Sequence, residues 1–425
     1  MKIRHLRWYI AALLFTATVI NYIDRQALSI VAPVLTRELH LSPMEYANIL
    51  QAFLYAYTLM YIVSGVIVDR WGTRLSLGLF MTWWSVSNML HAFVRSGFGL
   101  GVFRLLLGLG EPGNFMAATK VTSEWYPPKE RAFVNGLVNA GAAVGAIISA
   151  PLVVWLYLRW GWRSAFVITG AFGLVWMVAW LLLYHLPEKS RWITAEELET
   201  IRGPERAADN NSLPKQRWVD LLRVRQTWGL FFARFLSNPV WWFYLFWLPK
   251  YLVEQRGFNM VQMGMLAWLP YLTADLGSLF GGLASGWLIK RQWAVLRART
   301  AIMLPFALIM PVSIIVAYSK SATTAFVVIC TVTFAHMAWM TNLMTVTNDI
   351  YPKRVVGSVA GIAAFGNGLG GAIFTGITGY VVQQFSYNAI FVIMGFLHPA
   401  AFLLFRLLVN QPISVKDRSL IPAEH

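Results

Sequence analysis

The sequence predicts an all-α membrane protein, with twelve transmembrane helices in two six-helix bundles. Three observations carry that expectation. Hydrophobic residues make up 57% of the 425, and only 13% are charged, against about 25% charged in soluble chains. Apolar runs of about 20 residues, long enough to cross a hydrocarbon core, recur along the chain, without the ten-residue alternation of a membrane barrel. Finally, two landmarks recur at nearly one offset. Ser64-Gly65 with Asp69-Arg70 is followed 221 positions later by Ser285-Gly286 with Lys290-Arg291, and Tyr126-Pro127 is followed 225 positions later by Tyr351-Pro352. A duplicated half is how many carriers are built, with the substrate site at midplane between the halves.

Hydropathy and helix breakers set the spans at 8–34, 45–68, 74–95, 97–121, 130–156, 162–186, 227–253, 261–289, 299–318, 322–350, 355–383 and 386–409. The expected organisation is an N-terminal bundle at 1–186, a cytoplasmic linker at 187–226, a C-terminal bundle at 227–410 and a cytoplasmic tail at 411–425. The linker carries Pro204, Asn210, Asn211 and Pro214. It also holds a short amphipathic piece, 194–201, opened by Thr194 as N-cap and followed by acids. The first apolar run lacks a small-residue cleavage site, so it reads as a span and not a signal peptide.

The net charge is +16, from 35 basic and 19 acidic residues. On a soluble chain that balance would point to nucleic acid. Here the basic residues collect in short loops, which sets topology. Twenty-four lie on the side that holds both termini and seven on the other. The expected location is the inner (plasma) membrane, multi-pass, with both termini cytoplasmic and no nucleic-acid partner. Cys330 is the single cysteine, so no internal disulfide is possible. His336 and His398 stand alone, without metal-ligand spacing, and read as core or lipid-edge residues. There is no HExxH and no Gly-x-Ser-x-Gly elbow. The Gly-rich stretch around Asn367 follows no strand, so it is no phosphate loop. No cofactor, metal or catalytic residue is expected, and the chain does not read as an enzyme.

Charges inside the spans mark the functional region. Asp24 and Arg25 sit within the first apolar run, where a charge costs roughly 2.5–3.5 kcal/mol at the bilayer centre. Such a pair persists where it lines a polar pathway. Tyr22 is three residues before Arg25 and points to the same side; Asp24 points about a quarter-turn away, towards another helix. In span four Arg104 and Glu111 are two helical turns apart, on one face. They read as a pair that protonation of Glu111 would open, with a purely structural ion pair as the other reading. Tyr57 falls near the middle of span two, where its hydroxyl needs a partner; a cavity-facing role and packing both remain open. Asn139 lies in span five. In the second half Trp241 and Tyr244 offer aromatic faces that suit a sugar's C–H surface, although with 20 tryptophans in the chain packing is the other reading. Thr341, Asn342, Thr345 and Asn367 could bond hydroxyls. Asp275 in span eight reads as a gating or pairing acid, with proton coupling as the alternative.

Gly65, Asp69, Arg70, Gly72 and Arg74, joining spans two and three, resemble the signature loop of the major facilitator superfamily. The resemblance implies the twelve-helix fold and a role for these residues in conformational gating, with Gly65 allowing close helix approach. Asn21-Tyr22 with Asp24-Arg25, Tyr57, Arg104 and Glu111 together resemble the anion:cation symporter family. Segments at 6–9, 123–127, 234–236, 239–241 and 274–277 are similar to its hexuronate-transporting branch. By that resemblance Arg25 holds a substrate carboxylate beside Tyr22 and Tyr57. Asp24 and Glu111 are protonation sites, and Arg104 answers Glu111. Some relatives carry a glutamine in span five; Ala142 stands at the match, with Asn139 nearly a turn before it. The implied function is a monomeric, proton-coupled importer of an organic anion, most of all a hexuronate, in a lipid bilayer. The alternatives are another carboxylate (an aldonate such as galactonate, tartrate or an aromatic acid), an efflux protein or a membrane enzyme.

Overall fold

The computed structural model describes residues 2–202, 218–351 and 353–409. Of the linker expected at 187–226, residues 203–217 lie outside the described residues, as does the tail expected at 411–425. Every regular element among the described residues is helical. The helices are α1 (Leu6–Glu38), α2 (Pro43–Trp71), α3 (Thr73–Leu90), α4 (Gly97–Gly110), α5 (Gly113–Trp125), α6 (Pro128–Trp160), α7 (Trp162–Leu183), α8 (Ala195–Arg202) and α9 (Trp218–Leu221). They continue as α10 (Arg225–Arg256), α11 (Met260–Leu266), α12 (Leu269–Lys290), α13 (Val295–Ile309), α14 (Ile314–Tyr318), α15 (Ala322–Ile350), α16 (Lys353–Gln384) and α17 (Tyr387–Leu408).

Three expected spans are interrupted, each beside a proline that cannot donate to the helix ladder. A turn at Glu111-Pro112 separates α4 from α5. A turn at Ala267-Trp268 separates α11 from α12, with Pro270 in the first turn of α12. A 3-10 turn at Met310–Ser313, containing Pro311, separates α13 from α14. Counting each interrupted span once gives twelve helical passages. Among the described residues nine segments are long and apolar enough to cross a membrane by themselves. The others are interrupted, as in α4–α5, or diluted by polar groups such as Asn88 in α3 and Lys250 in α10.

The chain divides into two compact units. Unit 1 comprises Met1–Leu41, Ala52–Leu213 and Phe258–Trp268; unit 2 comprises Ser42–Gln51, Pro214–Gly257 and Leu269–His425. Without apolar driving force between helices in lipid, close packing needs small residues, and both units supply them in the same way. In unit 1, α6 lies against α1 so closely that a Cβ on Gly141 or Gly145 would fall 2.6 Å from the carbonyl oxygen of Phe15 or Val19. In unit 2, α16 lies against α10 through Gly366 and Gly370, which face the carbonyls of Phe231 and Phe235. These glycine pairs are 225 positions apart, the offset seen in the sequence.

Polar ties repeat too. Thr73, opening α3, donates to Glu124 at the end of α5 (2.7 Å), and Arg299, near the start of α13, donates to Asp349 at the end of α15 (3.0 Å). Glu124 and Asp349 are again 225 apart. The amphipathic piece of the linker is α8, with Thr194 Oγ1 accepting from the Glu197 amide at 3.3 Å. Glu197 serves α1 as well. The residue before α1, His5, is left-handed (φ 61°) and makes no side-chain cap. The free amides of Leu6 and Arg7 donate instead to the Glu197 carboxylate at 2.9 and 3.0 Å.

Candidate functional site

In unit 1 the intramembrane charges converge. Arg25, halfway along α1, is 2% exposed and Glu111 is fully buried. Glu111 sits in the turn that breaks α4 from α5, and Arg25 meets its Oε2 through Nε at 2.8 Å and Nη2 at 2.6 Å. Arg25 Nη2 also donates to Tyr57 Oη (3.1 Å) and Asn21 Oδ1 (3.2 Å). The guanidinium carbon lies 4.6 Å from the Tyr22 ring centre and 4.7 Å from that of Tyr57. Two aromatic faces therefore hold the cation in plane while its edge points at the carboxylate. Tyr57 Oη lies 3.2 Å from Tyr61 Oη. Arg104, seven residues before Glu111, donates through Nη2 to the Arg25 carbonyl at 2.9 Å and covers the Phe53 ring at 4.7 Å. Glu111 thus lies in the field of both guanidiniums, and Arg25, from another helix, makes the close hydrogen-bonded ion pair. Glu111 Oε1 has no hydrogen-bond partner among the described residues.

Asp24 faces away from this pair. Its Oδ1 accepts from Asn88 Nδ2 of α3 at 2.7 Å, and Asn88 also reaches Thr169 Oγ1 of α7 at 2.8 Å. Its Oδ2 is buried without a partner among the described residues. Asn114 donates to Thr18 at 3.0 Å, and Asn21 reaches the Glu111 carbonyl at 3.5 Å. Asn88, Thr169 and Asn114 are the neighbours that sequence reasoning did not single out. The available signal was an amide or hydroxyl within an apolar span. Asn139 is exposed and stands outside this network.

In unit 2 the polar residues are mostly engaged with neighbouring helices. Asn342 donates to the Gly281 and Ala338 carbonyls at 2.9 and 3.0 Å, tying α15 to α12. Thr341 Oγ1 lies 2.7 Å from Ser278 Oγ, and Thr345 bonds the Thr341 carbonyl at 2.8 Å. Asn367 Oδ1 accepts from the Trp242 indole at 3.0 Å. The Tyr244 hydroxyl is buried without a partner among the described residues. Trp241 is half-buried and stacks on His336, with ring centres 5.8 Å apart and planes 5° apart. His336 and His398, solitary in sequence, meet here, Nδ1 to Nε2 at 3.0 Å.

Around the loop between α2 and α3, Asp69 pairs with Lys120 of α5 at 2.8 Å while remaining 77% exposed. Gly72 has φ +79°, a left-handed value that favours glycine at the entry to α3. Arg70 is exposed, and Arg74 donates to the Leu181 carbonyl of α7. Gly65 corrects an expectation: a Cβ there would meet nothing within 4 Å, so no helix closes on it in this structure. Asp275 is half-buried in α12 and forms no hydrogen bond or ion pair among the described residues.

Comparison with known proteins agrees with this architecture. The family model of the Major Facilitator Superfamily matches residues 14–375 and 340–423. The hexuronate transporter of Escherichia coli K12 is 32% identical over 415 residues, covering 97% of this chain and 96% of that protein. The galacturonate transporter of Dickeya chrysanthemi is 37% identical over 283 residues, 66% of this chain and 82% of that one. Among solved structures, a bacterial homologue of the human lysosomal transporter Spinster superposes with a TM-score of 0.78 at 19% identity, covering 97% of this chain and 100% of that one. That likeness bears on the fold alone. With its helical architecture and a family match running through almost all of its length, the chain belongs to the Major Facilitator Superfamily, a family of membrane transporters and not of enzymes.

Proposed function

We propose that the chain is a proton-coupled importer of a sugar-acid monocarboxylate, a hexuronate first of all, working by alternating access as a monomer in an inner membrane with both termini cytoplasmic. The observation that carries this is the buried Arg25–Glu111 pair, 2.6 Å long, between two aromatic rings. A guanidinium fork suits a carboxylate, and here an internal carboxylate occupies it. A substrate carboxylate arriving at Arg25 competes with Glu111. Two anions on one buried guanidinium make the site one charge more negative than when it is empty, which is costly without compensation. If Glu111 takes up a proton as the substrate binds, the loaded site keeps the charge of the empty one. Binding and protonation are thereby coupled at one atom pair. Tyr57 would pass its 3.1 Å bond from an occupied to a substrate-bound Arg25 without moving away. Asp24, on its own hydrogen-bonded arm, serves as a second proton site in this reading.

The names of similar carriers support an organic acid as substrate. The wider set also includes a D-galactonate transporter at 25% identity, which favours an aldonate as the second reading. The deciding experiment is uptake of labelled glucuronate and galacturonate into proteoliposomes under an imposed pH gradient, with galactonate as competitor. Accumulation of hexuronate, abolished in Glu111→Gln while counterflow exchange persists, is the expected result. Uphill transport surviving Glu111→Gln would remove Glu111 from coupling. Failure of both hexuronates to enter or compete would remove the substrate.

A further inference from the structure

The buried imidazole pair in unit 2 has no part in the scheme above. His336 of α15 is 1% exposed and His398 of α17 is 0% exposed. Their single mutual bond runs between His336 Nδ1 and His398 Nε2 at 3.0 Å. No carboxylate or cation acts on either ring among the described residues. Two uncharged imidazoles can share that bond in two ways, because each carries one N–H and one bare nitrogen. In the first, His336 Nδ1–H donates, and His398 must carry its proton on Nδ1. That nitrogen is buried with no partner among the described residues, so a donor would be stranded away from any acceptor. In the second, His398 Nε2–H donates, His398 Nδ1 is a bare lone pair, and His336 carries its proton on Nε2. Orphaned buried N–H groups are rarer than under-satisfied acceptors, which selects the second arrangement.

That arrangement leaves His336 Nε2–H as an outward donor. No hydrogen bond closes on it among the described residues, and it is not among the sealed, partnerless atoms as His398 Nδ1 is. Its ring is held in orientation from two sides. Trp241 stacks on it with planes 5° apart, and His398 stands almost edge-on at 78°. Trp339 in turn braces His398 at 5.1 Å between centroids, and Tyr271 meets Trp241 edge-to-face at 6.0 Å. A half-buried indole beside a fixed N–H donor is the combination that receives a sugar, the flat face for C–H groups and the donor for an oxygen.

Resting on the reading of the chain as a hexuronate carrier, we propose that His336 donates a hydrogen bond from Nε2 to an uncharged oxygen of the sugar acid, a hydroxyl or the ring oxygen. His398 is the positioning residue that fixes the His336 tautomer.

The test uses the full-length purified carrier with D-glucuronate and its set of monodeoxy analogues as probes. His336→Leu is expected to weaken glucuronate binding about five- to tenfold, the effect of one neutral hydrogen bond. One monodeoxy analogue should lose the same factor in the native protein and bind His336→Leu as well as glucuronate does. His398→Leu should copy the loss. His398→Gln, whose amide N–H can still donate to Nδ1, should restore it. Equal weakening of every analogue by His336→Leu, or no weakening, overturns the proposal while leaving hexuronate transport intact. Native protein that binds no hexuronate overturns the ligand and the transport reading together. A ligand-free measurement stands beside these: 15N spectra of histidine-labelled protein, assigned by loss of signal in His336→Leu, should show His336 protonated on Nε2. Protonation on Nδ1 overturns the tautomer and with it the donor.

Discussion

At the scale of single residues, Arg25 is held by four kinds of contact at once: a carboxylate, a phenol, an amide and two ring faces. A lysine keeps the charge but loses the fork and the stacking. Arg25→Lys is therefore expected to lower the uptake kcat/KM roughly 100-fold or more, a loss of about 3 kcal/mol or more. Tyr57→Phe removes one neutral acceptor from a charged donor, so a rise in KM of about tenfold with little change in maximal rate is expected from initial uptake rates. These central residues were legible in sequence because a charge or phenol within an apolar span is costly by itself. Their partners were not. Asn88 is 64 residues from Asp24, and Glu111 is 86 from Arg25; spacing along one helix cannot report a contact between helices. The same limit hid the meeting of His336 and His398, 62 residues apart. It also made Asn342 look free for a sugar when its amide ties α15 to α12.

Among the helices, close approach decides what a substitution does. Gly145 of α6 has the Val19 carbonyl and the Tyr22 Cβ within 2.6 and 2.8 Å of where a side chain would begin. Gly145→Val should separate α6 from α1 or strain both, costing about 1–3 kcal/mol and lowering the melting temperature of the purified carrier by several degrees. Since Tyr22 lies on that contact, substrate affinity should fall with it. Gly65→Ala is the contrasting case. It meets nothing within 4 Å and lies inside α2, so stability should be unchanged or raised by up to about 1 kcal/mol. A transport defect in that variant would then arise from cycling and not from packing. Helix breaks were not readable from proline alone: Pro112 and Pro311 stand at breaks, whereas Pro33, Pro151, Pro239, Pro249 and Pro399 lie inside unbroken helices. Pro270 is likewise ambiguous, being tolerated at a helix start as well as at a break.

For the whole molecule, the charge balance of a cycle is the testable property. A monocarboxylate entering with one proton moves no net charge; with two it moves one. Each charge crossing 100 mV is worth about 2.3 kcal/mol, or roughly 50-fold in accumulation. With Glu111 and Asp24 both carrying protons, an inward positive current should accompany uptake on a solid-supported membrane. Asp24→Asn should silence the current and leave pH-driven, electroneutral uptake. An electroneutral native carrier would strike Asp24 from the proton count. The fold itself was legible at this scale, since apolar runs, loop charges and a repeat at one offset are properties of the chain as a whole. The structure adds what the repeat does. Glu124 of α5 accepts from the start of α3 and Asp349 of α15 from near the start of α13, and paired glycines meet carbonyls in each unit.

The Glu197 carboxylate that closes the start of α1 has a consequence in time. The amides it caps are separated from it by 191 and 190 residues. At ordinary synthesis speeds of about 5–20 residues per second, that interval is roughly 10–40 s. The first turn of α1 is thus completed by a segment made about 190 residues after it. A split carrier cut just after Arg202 keeps both partners in one fragment, whereas a cut before Ile193 divides them. Co-expressed halves from the first cut should reassemble into an active carrier in higher yield than halves from the second. Equal yields would show that α1 finishes its turn without waiting.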